Sequence, residues 1–102
     1  MGACSPMSIV MNVTFKAQDD KYQTLYDTLV AILPDTAARD GAELISCAAN
    51  PEDKTFEIHE VWDTIENQQA YLQWRTDRGD VDALVALLRE PPTFDLREHL
   101  SY

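Results

Sequence analysis

The stretch Phe56-Glu57-Ile58-His59-Glu60-Val61-Trp62, running straight into Asp63-Thr64-Ile65-Glu66, decides the fold. Its first seven residues alternate with the period of two that marks a half-buried strand. Asp63 with Glu66 three positions later has the spacing of a capping box, so the strand hands over directly to a helix. Strand parity puts Phe56, Ile58, Glu60 and Trp62 on one face and Glu57, His59 and Val61 on the other. A carboxylate and an indole therefore stand where simple packing would place aliphatic groups, which reads as the wall of a pocket.

Upstream, Asn50-Pro51-Glu52-Asp53-Lys54 is a polar turn, and the weaker strand Glu43 to Ala49 before it completes a hairpin with Thr55 to Trp62. From Ser8 to Lys16 the chain alternates again, with Ile9, Met11, Val13 and Phe15 on one face and Val10, Asn12 and Thr14 on the other. Between these strands Tyr22, Leu25, Tyr26, Leu29, Ile32 and Leu33 follow helical spacing, with Asp19 or Asp20 as cap, Pro34 as the end or bend, and Gly41 closing the next turn. Downstream, a helix carrying Ile65, Tyr71, Leu72 and Trp74 runs to Gly79. A short helix capped by Asp80 presents Val81, Leu84, Val85 and Leu88, Pro91-Pro92 stops it, and Phe94 to Tyr102 reads as a last strand.

The order β-α-β-β-α-(α)-β specifies an α+β, ferredoxin-like antiparallel sheet with its helices on one face. A chain of 102 residues, 45% hydrophobic, supports one core and not two, so the expectation is a loose segment 1–7 and a single domain 8–102. The other sheet face keeps Val10, Val61 and Leu44 or Ile45, and an uncovered apolar face calls for a partner, most economically a second copy packed face to face.

The 18 acidic and 8 basic residues give a net charge of −10, which repels phosphate backbones and anionic lipid, so nucleic acid is not an expected partner. No apolar run reaches the roughly 20 residues of a membrane span. The first residues lack the pattern of a signal peptide, so no membrane association and a cytoplasmic location are expected. Cys4 and Cys47 stand apart from any Cys/His cluster and read as free thiols. Nothing resembles a nucleotide-binding glycine loop, and His59 and His99 lack a third ligand at metal-site spacing.

Glu60 and Trp62 share a face onto which the following helix folds back with Tyr71, Trp74 and Arg75. Together they outline either a polar-lined aromatic cavity or a core of ordinarily satisfied aromatics. A buried Glu60 calls for a cationic partner, with Arg75 or Arg78 in reach, or else titrates high enough to act as a base.

The Glu60-Val61-Trp62 motif at the end of the third strand, followed by a capped helix in a chain of this size and order, resembles the antibiotic biosynthesis monooxygenase family of dimeric α+β barrels. The resemblance spans Ser8 to Tyr102. It implies a homodimer whose subunits each hold a pocket between sheet and helices, and, as in some members, oxidation of phenolic or anthrone-like aromatics by O2 without a cofactor. Matched by position, Trp62 lines that pocket. Tyr71 stands nine residues on, where many members carry His. On this reading Tyr71 is a hydrogen-bond donor and Arg75 the cation at a developing oxyanion, these two being catalytic, while Trp62, Trp74, Glu60 and Asn12 contact substrate. Asn12 lies on the strand where the heme-degrading branch also keeps an Asn, but Asp77 to Leu88 lacks that branch's axial His, which argues against heme. The alternative, from a different class, is a noncatalytic or small-ligand-binding dimeric barrel.

Overall fold

The computed structural model describes residues 8–100, so the expectations for segment 1–7, for Cys4 and for the chain end at Tyr102 lie outside the described residues. The strands are β1 (Ile9–Lys16), β2 (Ala42–Asn50), β3 (Thr55–Trp62) and β4 (Thr93–Glu98); the helices are α1 (Tyr22–Ala37), α2 (Ile65–Asp77) and α3 (Asp80–Val85). The order β-α-β-β-α-α-β is the expected one. All pairings are antiparallel, and the sheet runs β2-β3-β1-β4. Register pairs Met11 with Glu60, Val13 with Ile58 and Phe15 with Phe56, so the apolar alternation of both central strands falls on the same face.

That face carries the core. Met11, Val13, Phe15, Phe56 and Ile58 pack against Leu25 and Leu29 of α1 and Leu84 of α3. Tyr22 stacks on Phe56 with ring centroids 5.0 Å apart. Glu57 and His59, the other parity of β3, are exposed. On the outer face, however, Val10 and Val61 are already buried, Ile45 turns out to pack against the core, and only Leu44 stands half exposed. The apolar surface left open lies instead on the helix-side face of the edge strand β4, where Phe94 and Leu96 are 48% and 49% exposed.

Four local expectations are corrected. Asp19 does not cap α1, whose N-cap is Lys21 without a side-chain bond. The Asp19 carbonyl and carboxylate are both turned toward Lys54 Nζ. Pro34 does not end α1, which continues to Ala37. Proline costs the helix one donor to the carbonyl four residues back, and the exposed Val30 that owns it can be served by water. The N-cap of α2 is Thr64 rather than Asp63: its hydroxyl accepts from Asn67 N–H at 3.1 Å, while Asp63 accepts from the Asn67 side chain at 2.9 Å. Likewise Gly79 in the left-handed region (φ 84°), not Asp80, precedes α3. That frees the Asp80 carboxylate for other work.

It goes to Arg75, the tie between the helices. This side chain is 3% exposed. Nη1 donates to Asp80 at 2.9 Å, Nη2 to the Ile32 carbonyl at 2.8 Å and to Thr36 Oγ1 at 3.0 Å, and Nε to Tyr71 Oη at 3.1 Å. The Arg75 hydrogen bond holds the Asp80 carboxyl below its usual range, with Arg78 adding to the effect. One guanidinium thus joins α1, α2 and α3, using its fixed fork of donors. At the other end of α2, Gly41 (φ 87°) accepts from Asp63 N–H at 2.8 Å, and the chain passes so close that an added Cβ would collide with Asp63 Oδ1 and sit 2.7 Å from Asn67 Cβ.

Two variants test these ties. Gly41→Ala combines a disfavoured left-handed backbone with that collision, and is expected to cost at least about 1–3 kcal/mol in urea unfolding. Arg75→Met takes one donor from the Ile32 carbonyl, from the Thr36 and Tyr71 hydroxyls and from Asp80, which keeps only Arg78, and a loss of about 3–5 kcal/mol is expected. A change below 1 kcal/mol in the same assay would show that the helices hold together without it.

Candidate functional site

Beneath the helices the sheet does not pack solid. A cavity of about 60 Å³ lies between the helix-side faces of β1 and β3 and the three helices. Val13, Phe15, Ile58, Leu29 and Leu33 make it apolar. Among the described residues four polar side chains reach it: Glu60 from β3, and Gln68, Tyr71 and Arg75 from α2. The last three fall at i, i+3 and i+7 with Leu72 at i+4, one stripe of the helix laid on the sheet. Val85, Pro92 and Phe94 form its side toward β4, where the protein surface is open.

Glu60 is 4% exposed, and burial pushes its carboxyl above the ordinary glutamate range, only partly offset by the Trp62 hydrogen bond. Trp62 Nε1 donates to Oε1 at 2.9 Å. The sequence led us to expect an ion pair with Arg75 or Arg78, and none forms among the described residues, because both guanidinia are held by Asp80. Oε2 is without a hydrogen bond among the described residues, yet no fully enclosed side-chain oxygen or nitrogen there lacks a partner. The free oxygen therefore looks into the cavity. The same holds for the amide of Gln68, a side chain 3% exposed and without a hydrogen bond among the described residues. Sequence reading passed over Gln68. Its place on the 68-71-72-75 stripe is the signal that could have found it.

Tyr71 Oη lies 2.8 Å from Thr36 Oγ1 and accepts from Arg75 Nε. Thr36 Oγ1 also accepts from Arg75, so one of the two hydroxyls must donate to the other. With Thr36 as donor, the phenolic proton is free for a ligand in the cavity. Arg75 reaches the same space, but four of its donor directions are committed to protein. Arg75 and Tyr71 are thus brought together with Glu60, as their facing elements required.

The other expected residues lie elsewhere. Trp62 is fully buried beside the cavity rather than on its surface; it holds Glu60 and lies against Tyr71 with centroids 5.1 Å apart. Trp74 turns off the cavity and is flanked by Arg39, Arg75 and Arg78, whose guanidinium carbons lie 4.2, 4.6 and 4.9 Å from its ring centroid. Asn12 is on the outer face, its Oδ1 2.8 Å from His59 Nδ1, in a cross-strand row Ser46-His59-Asn12-Asp95. Among the described residues no three His, Cys, Asp or Glu side chains are placed to hold a metal ion, and no helix is long and apolar enough to cross a membrane. Cys47 is a free, exposed thiol whose partial burial raises its pKa.

Neither a family model nor a curated protein matches the sequence. Solved structures do match its shape. A provisionally named antibiotic biosynthesis monooxygenase from Deinococcus radiodurans is 22% identical with a TM-score of 0.81, over 92% of this chain and 94% of that one. A protein of unknown function from Nitrosomonas europaea is 21% identical with a TM-score of 0.81, over 96% and 95% of the two chains. Another structure described as an antibiotic biosynthesis monooxygenase matches at 11% identity and a TM-score of 0.81, over 91% and 99%. The chain therefore has the α+β, ferredoxin-like fold of the antibiotic biosynthesis monooxygenase structures.

Proposed function

We propose that the protein is a cofactor-independent monooxygenase acting on a small oxidisable aromatic, with Glu60 as the base. The observation that carries this reading is a single one: a carboxylate in an apolar cavity, its pKa raised by burial, one oxygen fixed by Trp62 and the other free. A base of that kind is matched to a phenol or an activated C–H, whose proton must be removed before O2 can react. Fold alone does not name a reaction.

In the proposed sequence Glu60 Oε2 takes the proton, and Tyr71 donates to the resulting oxyanion. Arg75 is a positioning residue that holds Tyr71 in place, since its own donors are committed. The electron-rich anion passes one electron to O2, and the radical pair recombines into a C–O bond. The peroxide then loses water, so one oxygen atom stays as a quinone carbonyl and the other leaves as H2O. The apolar walls keep bulk water from the anion. We further propose that two copies pair through the outer sheet face, which no helix of the described residues covers and where Leu44 and the Ser46-His59-Asn12-Asp95 row lie. The noncatalytic alternative keeps the same cavity as a plain ligand site.

Oxygen uptake with a panel of hydroquinones and anthrones tests the chemistry. Glu60→Gln is expected to lower turnover about 100-fold or more, as loss of a general base does, and Tyr71→Phe about tenfold, as loss of one hydrogen bond does. The wild-type rate should rise with pH through a pKa above the ordinary glutamate value. Equal and negligible uptake by all three proteins would leave the ligand-binding alternative.

The same group predicts a stability profile. Between the ordinary glutamate pKa and the raised one, the folded chain holds a proton that the unfolded chain has lost, so unfolding free energy falls as pH climbs through that window. Glu60→Gln should flatten this part of a urea-denaturation series; an unchanged slope would mean that the carboxyl titrates normally. For assembly, sedimentation at micromolar concentration is expected to give a dimer that Ser46→Arg shifts toward monomer, and a monomeric wild type would refute the face-to-face pairing.

A further inference from the structure

The cavity that holds Glu60 is too small for a whole ligand. At about 60 Å³ it falls well short of the roughly 300–1,000 Å³ of sites that enclose drug-sized molecules. It has room for the hydroxyl edge of one ring. Its polar groups are also all at one end, on β3 and α2, whereas its side toward β4 is made by Val85, Pro92 and Phe94. Val85 is 41% exposed, and two residues beyond Phe94 on the same face of β4 is Leu96, both about half exposed. A polar interior thus continues outward into an apolar strip on the surface.

We infer that the ligand of this site is an amphiphile: a monocyclic phenol or hydroquinone whose hydroxyl is read by Glu60 and Gln68, carrying an apolar substituent that leaves past Phe94 and lies along Leu96. This rests on the reading of the cavity as the active site, and narrows its substrate to a class. Two observations support it independently. The first is a pair of polar groups on buried side chains, Glu60 Oε2 and the Gln68 amide, which have no hydrogen bond among the described residues and are not fully enclosed, so both stay open to the cavity they line. A hydroxyl between them donates to the carboxylate and accepts from the amide, so a single group satisfies both. Polar groups left open on the wall of an otherwise apolar cavity mark where a ligand's own polar end belongs. The second is the exposed apolar strip, continuous with the cavity wall and on the far side from those groups. A fused tricyclic ring cannot use this arrangement, because its width would have to enter where only a ring edge fits.

Binding of 4-alkylphenols, whose blocked para position separates binding from oxidation, tests the inference. Calorimetric Kd values for phenol and its 4-propyl, 4-pentyl and 4-heptyl derivatives should fall about fourfold per added methylene until the strip is covered, the equivalent of about 0.8 kcal/mol each. Gln68→Leu should weaken every member by a similar factor, about tenfold, and leave the slope intact. Leu96→Ser, outside the cavity, should leave phenol itself unaffected and flatten the gain from pentyl to heptyl. Thermal melts of each variant confirm folding; both Leu96 and Phe94 lie on an exposed edge, and Phe94→Ser serves if Leu96→Ser does not fold. A flat series in the wild type, or a slope that survives both substitutions, overturns the inference. So does a flat series in which Leu96→Ser turns a dimer into a monomer, since the strip would then belong to a second copy. Failure of oxygen uptake with intact chain-length dependence would remove the oxidation and keep the ligand class; the reverse result would do the opposite.

Discussion

The three helices are held to one another by a single buried guanidinium. Arg75 reaches α1 at Ile32 and Thr36, its own helix at Tyr71 and the start of α3 at Asp80, so the covering layer of this small domain turns on one buried charge. A buried cation is costly unless its donors are met, and here the fork geometry meets them from three elements at once. The arrangement has a second effect. Because Asp80 takes up both Arg75 and Arg78, neither neutralises Glu60, and among the described residues its carboxyl has only the Trp62 indole N–H as a hydrogen-bond partner.

That separation is what makes the cavity chemically asymmetric. The charge pair sits at the helix side, fully satisfied. The titratable group sits on the sheet, raised by burial and with a free oxygen. Tyr71 stands between them, its oxygen anchored by Arg75 and its proton released if Thr36 donates. Two groups with opposite environments facing an apolar cavity are the ordinary ingredients of acid–base work, and the same ingredients would bind a hydroxyl without turning it over.

The position of the apolar surface also bears on assembly. The outer sheet face, expected to be sticky through Val10 and Val61, has buried those side chains within the chain and presents mainly Ser46, His59, Asn12 and Asp95. The exposed Phe94 and Leu96 are on the helix side instead, because β4 lies at the sheet edge beyond the reach of α1 and α2. The proposed partner on the outer face and the proposed ligand along β4 would therefore not compete for the same surface.

Periodicity and turn chemistry were enough to read the element order, the β2-β3 hairpin and the faces of β1 and β3, since alternation and helical spacing are local properties of the chain. The same parity placed Glu60 and Trp62 on the helix side, and the 71-to-75 spacing brought Tyr71 and Arg75 to them. What neighbours decide could not be read that way. Whether Glu60 meets a cation depended on Asp80, twenty residues on, being freed by Gly79 to claim both arginines. Whether Trp74 faces the cavity depended on Arg39 and Arg78 outside it and on Arg75 at its wall, and the role of Gln68 on the absence of a partner across the sheet among the described residues. Side-chain partnership is a contest among groups distant in sequence, and only the tertiary structure shows which of them wins.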